Sequence, residues 1–148
     1  MASSTIYTTK AALLTKLQAA SSLNGIQVTY GDPVGAMRRE SIFMGDVSSS
    51  IQEAESFGSG RRRRLEEYTI DVLVAIQSKP THQEAEARAL ELAGAVEDVV
   101  ADAPQLTGSV TGLMFVECAG ISMSSAEAGT EGARVIATVH LTVKARLS

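Results

Sequence analysis

LEEYTIDVLVAIQSKPTHQEAEARALELAGAVEDVVAD, residues Leu65–Asp102, decides the fold. From Leu65 to Gln77, Tyr68, Ile70, Val72, Val74 and Ile76 share one parity, while Glu67, Thr69, Asp71, Leu73 and Ala75 share the other. An alternation of period two, rich in β-branched residues, predicts a strand with one face against a core. Ser78-Lys79-Pro80 ends it, because proline has no N–H to give to a strand ladder. Thr81-His82-Gln83-Glu84 then has the form of a capping box, in which the threonine hydroxyl satisfies an orphan amide and the glutamate reaches back to the cap. Over Glu84–Asp102, Ala85, Ala89, Leu92, Ala93, Val96 and Val99/Val100 recur three or four apart, the stripe of a helix that packs by one side.

Upstream, Thr8 or Thr9 can cap a helix through Lys10–Ser22, with Ala11, Leu14, Leu17 and Gln18 or Ser21 on one face and Leu13 beside them. Asn24-Gly25 offers a stop. Ile26–Tyr30 alternates as a short strand, closed by the turn signal Gly31-Asp32-Pro33. Glu40–Val47 reads as extended, although Gly45 interrupts its pattern. Ser48–Gly60 then reads as the rising arm and tip of a long hairpin whose falling arm begins near Arg61. Downstream, Ala103-Pro104 ends the second helix. Leu106–Ser124 is expected to hold an apolar strand around Val110, Leu113, Phe115 and Val116, and Ser125–Gly132 a small polar turn. Arg134–Leu147 alternates most cleanly: Val135, Ala137, Val139, Leu141, Val143 and Ala145 against Thr138, His140, Thr142, Lys144 and Arg146. The expected order is α-β-β-β-α-β-β. That makes an α+β fold with a mostly antiparallel sheet, two helices packed on one face and a long central hairpin, in a single domain over residues 1–148.

At 148 residues, with 45% hydrophobic and 20% charged residues, the composition is that of a globular chain able to bury a core without staples. No apolar run approaches the roughly 20 residues of a membrane-spanning helix, and the first residues lack the basic start and apolar stretch of a signal peptide. A net charge of −4 argues against a dedicated nucleic-acid binder. With aromatic residues at 4% and no tryptophan, base-stacking platforms are not expected. Cys118 has no second cysteine to pair with in this chain, which suits a reducing compartment or a disulfide-independent particle.

Catalytic signatures are hard to find. A nucleophile elbow needs Gly-x-Ser-x-Gly to hold its serine on a strained turn. Gly120-Ile121-Ser122-Met123-Ser124 lacks the last glycine and falls in an expected strand. Gly58-Ser59-Gly60 opens onto four arginines and a strand, not onto the helix N-terminus a phosphate cradle requires. His82, His140 and Cys118 are scattered without metal-ligand spacing. His82 falls in the first turn of the second helix and is expected in solvent, and Cys118 is expected to be a small buried hydrophobe. Glu66-Glu67 and Glu97-Asp98 are adjacent, so their side chains diverge instead of sharing a proton. Glu84, Glu86, Glu91, Glu97, Asp98 and Asp102 are expected to form a solvated face, with Glu84 and Arg88 as an i,i+4 pair. No enzyme activity, metal or cofactor is expected.

Arg61-Arg62-Arg63-Arg64 stands apart, because four like charges at a hairpin repel one another. One reading is a solvated tip or a charged guard on a strand edge. The other is that the arginines meet something negative, either phosphate or acidic groups of another chain. Four consecutive residues on a strand alternate faces, which suits insertion between partners or the lining of a passage more than a flat DNA-reading face.

YGDPVGAMRRESIFMGDV and EEYTIDVLVAIQSK, with the helix THQEAEARALELAGAVEDVV and the closing ARVIATVHLTVKARL, resemble the tail terminator proteins of long-tailed phages across nearly the whole chain. The resemblance implies a structural virion protein, assembled in the host cytoplasm. It would form a ring, typically a hexamer, that caps the finished tail tube, ends its polymerisation and offers a surface to the head-side connector. Its partners would be copies of itself, the tail tube protein and the connector, with DNA passing through the lumen without sequence-specific contact and no membrane involved. Arg61, Arg62, Arg63 and Arg64 would then contact a partner or the lumen. Thr138, His140 and Thr142 on the last strand, or the acidic helix face, would supply a subunit interface. Another head–tail connector or tail completion protein is the nearest alternative, and a small-ligand-binding or enzymatic α+β domain is the alternative of a different class.

Overall fold

A computed structural model describes residues 4–33, 39–53, 64–127 and 133–147. The elements run α1 (Ile6–Ala19), β1 (Gln27–Thr29), β2 (Glu40–Glu53), β3 (Arg64–Lys79), α2 (His82–Asp102), β4 (Leu113–Glu127) and β5 (Ala133–Leu147). The expected order and the α+β class are both present. The five strands form one sheet in the order β1-β2-β3-β5-β4, antiparallel except for β1 beside β2. The expected hairpin is the β2–β3 pair, in register from Glu40↔Ile76 to Glu53↔Arg64. Its tip lies outside the described residues, as does most of the polar turn before β5. No helix among the described residues is long and apolar enough to cross a membrane.

One core lies between the sheet and the two helices. The apolar parities of β3 and β5 are buried throughout: Tyr68, Ile70, Val72, Val74 and Ile76, opposite Val143, Leu141, Val139, Ala137 and Val135. Directly opposed residues point to the same side of a sheet, so this register builds one continuous inner face. α2 covers it with Ala85, Ala89, Leu92, Ala93, Val96 and Val100, the stripe expected from the sequence, with Val100 and not Val99 fully inward. Many of these contacts are alanine, whose short side chain lets helix and sheet approach closely. At the start of α2 the Thr81 hydroxyl accepts the Glu84 N–H at 3.2 Å. Thr81→Ala is expected to cost about 1 kcal/mol, read as a lowered urea midpoint at unchanged slope.

Four details depart from the sequence reading. α1 begins at Ile6 with Thr5 at its cap position and ends at Ala19. Thr8 and Thr9 are therefore inside it, and its buried residues are Thr9, Leu13 and Leu17, not Ala11 and Leu14. β2 runs through the serines as the expected rising arm, but a bulge between Met44 and Val47 absorbs Gly45 and Asp46. Both Met44 and Val47 thus face inward despite their odd spacing. β4 starts only at Leu113. Leu106 and Thr107 have left-handed φ angles of 49° and 54°, so that stretch turns back while Leu106 and Val110 plug the core. Finally, Arg88 does not reach back to Glu84. It forms a bidentate pair with Glu40 on β2, 3.2 Å for the Nη2–Oε1 contact, and a second pair with Glu91 at 3.2 Å. The guanidinium holds the Glu40 carboxyl below its ordinary range, which ties α2 to the far side of the hairpin.

Candidate functional site

The helices cover one face of the sheet, and the register assigns the opposite parity to the other. Its β3 residues are Glu67, Thr69, Asp71, Leu73 and Ala75, opposed on β5 by Lys144, Thr142, His140, Thr138 and Ile136. β4 adds Phe115, Glu117, Gly120 and Ser122, opposite Lys144, Thr142, His140 and Thr138. Bulges at Met114 and Ala119 reset the β4 parity, so its outward residues cannot be read from alternation. Thr138, His140 and Thr142, the expected interface positions, do share this outer face and are half-buried. Lys144 lies 5.8 Å above the Phe115 ring.

At the centre of this face a hydrogen-bonded row crosses three strands. Ser122 Oγ lies 2.9 Å from His140 Nε2, and His140 Nδ1 lies 2.7 Å from Asp71 Oδ1. An ionised Asp71 can only accept, which assigns the proton of a neutral imidazole to Nδ1 and leaves Nε2 to accept the serine hydroxyl. Nothing local in the sequence announces this row. Asp71 is 69 residues from His140, and only the β3–β5–β4 register brings them together. The spacing is that of a nucleophile, base and orienting carboxylate. Such a triad also needs a shaped cavity and donors for an oxyanion. Three clefts on the described surface, of about 160, 330 and 360 Å³, are lined by other residues. The row ties β3, β5 and β4 together across this face.

A second polar cluster is buried. Glu66, at 0% exposure, lies on the inner parity of β3 and accepts from Thr5 N at 2.9 Å and from Thr5 Oγ1 at 2.8 Å. Thr5 Oγ1 also lies 2.9 Å from the Tyr68 hydroxyl, and burial pushes the Tyr68 phenol up. Thr5 has no capping bond from its own side chain to the helix, so a carboxyl from the sheet stands at the N-terminus of α1, where the helix dipole favours it. Glu66 and Glu67 do diverge, as their adjacency requires. A carboxylate on the parity of Tyr68 and Ile70 was the signal in the sequence for a buried anchor.

Of the four arginines, Arg64 opens β3 opposite Leu147 and Glu53, and Arg61–Arg63 lie outside the described residues. His82 is exposed, as expected. Cys118 is half-buried, not fully buried. Its thiol donates to Glu97 Oε1 at 3.0 Å, and burial, then that carboxylate, push its pKa up. The thiolate form is thus disfavoured, and Glu97 is drawn out of the otherwise solvated acidic face.

No family model and no curated protein matches the chain. Among solved structures it is similar in fold to a chain of a structure described as the virion of a native gene transfer agent particle, with a TM-score of 0.59 at 15% identity, covering 97% of each chain.

Proposed function

We propose that this chain is a structural protein of a phage-like virion that acts as a tail terminator: a ring, most simply a hexamer, that caps the tail tube and presents a surface to the head-side connector. The observation that carries the reading is the end-to-end match, over 97% of both chains, to a component of a gene transfer agent virion. It agrees with the tail-terminator pattern of the sequence. The polar row of Ser122, His140 and Asp71 across three strands fits a surface that works by contact. A hydrolytic reading would rest on that row alone, and labelling of Ser122 by a fluorophosphonate would favour it.

In this reading Arg61–Arg64 meet a tube subunit, a ring neighbour or passing DNA, and Thr138, His140 and Thr142 belong to a contact surface. The test is to mix purified protein with tail tubes of its own particle and to image the tube ends. Rings at one end, with tube growth halted, are the expected result; tubes that keep growing with bare ends would sink the proposal. Replacing all four arginines by serine should leave circular dichroism and the melting midpoint nearly unchanged while lowering ring formation, capping or infectious yield. Loss before DNA enters points to protein contact, and loss at genome retention to phosphate contact. Wild-type capping by that variant would make the run a solvated tip.

A further inference from the structure

The sheet has two long stretches of edge that no strand covers among the described residues, and they are of unlike kind. β4 is a terminal strand of 15 residues. Near its start the Pro104 carbonyl takes the Val116 N–H at 2.7 Å, so a loop shields that end. Beyond it, residues 118–126 carry no charge and no proline. On the far side, β1 pairs with β2 only at Ser41, Ile42 and Phe43, and the Val28 carbonyl of β1 is itself taken by Gln18 Nε2. The upper half of β2, residues 47–52, is again uncharged and proline-free. Chains that stay single guard such edges with lysine, proline or a covering element, because unpaired N–H and C=O groups recruit another strand. Ile121 and Met123 add apolar surface on the inner parity of β4, 38% and 40% exposed where the shelter of α2 gives out.

We infer that the β4 edge of one copy pairs with the upper β2 edge of a second copy, and that this contact closes the ring; the inference rests on the ring reading above. Two different edges on one chain make a head-to-tail interface, the kind that closes by rotation and leaves no edge free. The directions agree. β2 is antiparallel to β3, β3 to β5 and β5 to β4, so a neighbour whose sheet continues this one brings its β2 antiparallel to β4. The centres of the two stretches are offset: Ser122 stands level with Leu73 through Thr138, and Ser50 stands level with Glu67. Bringing them together slides the neighbour by about six residues, roughly 20 Å. A stagger of this kind is what closing tilted strands around an axis imposes.

In a Cys118→Ala background, Ser124→Cys combined with Ser48→Cys or with Ser50→Cys should give a ladder of disulfide-linked oligomers on a non-reducing gel. Each single cysteine should stay monomeric. Dimers from Ser124→Cys alone would mean a symmetric β4–β4 contact and overturn the inference. Separately, Ile121→Lys with Met123→Lys, at exposed positions, should keep the circular dichroism of the parent and lower the ring fraction at least about tenfold at fixed concentration. Rings at wild-type level from that folded variant, without the cysteine ladder, overturn edge pairing and leave the ring reading standing. A parent chain that stays monomeric both alone and on tail tubes overturns both.

Discussion

Val96→Asp should leave the chain largely unfolded at room temperature, or folded only with a urea midpoint far below that of the parent. Val96 is fully buried in α2, in the one cluster that joins helix to sheet. A carboxylate there loses its water without gaining a partner, at a cost on the order of 3–5 kcal/mol. A domain of this size has about 5–15 kcal/mol of stability in all. Val96→Ala, which only removes two methyl groups, should cost about 1–3 kcal/mol and keep the fold. A midpoint unchanged by the aspartate would mean that α2 does not lie on the sheet by this face.

Glu66→Ala should also be strongly destabilising, by roughly 2–4 kcal/mol, because it strands buried donors instead of merely removing a contact. The Thr5 N–H and hydroxyl both lose their acceptor, and the Thr5 Oγ1 that pairs with the Tyr68 hydroxyl is no longer held by the carboxylate. The loss should be local first. Amide exchange at the start of α1 should accelerate before α2 is affected, since the long-range tie from Thr5 to β3 is what anchors that end. Glu66→Gln keeps an acceptor oxygen of nearly the same shape and should recover much of the loss. Equal destabilisation by alanine and glutamine, with α1 exchange unchanged, would mean that the buried carboxyl stabilises β3 alone.

The sequence by itself determined the periodic elements. The inward parities of β3 and β5 and the stripe of α2 from Ala85 to Val100 are set by short-range alternation, and each was legible residue by residue. So was the order α-β-β-β-α-β-β, because proline, glycine and the Thr81 cap punctuate the chain where the elements change. What the tertiary structure decided is whatever depends on register. The bulges at Gly45–Asp46, Met114 and Ala119 shift parity by one, and a shift of one exchanges the two faces of a strand. Met44 and Val47, or Phe115 and Val116, therefore could not be assigned by counting. The Ser122–His140–Asp71 row has the same origin, since its members are neighbours only once β3, β5 and β4 are aligned. α1 was misread for a related reason: its cap residue Thr5 is held by Glu66, 61 residues away along the chain, while Ser4 Oγ accepts the Ile6 N–H, and Thr8 and Thr9 lie inside the helix. Short-range patterns fix which residues turn inward because burial acts on each turn or pleat separately; partners across the sheet are chosen by the whole packed core.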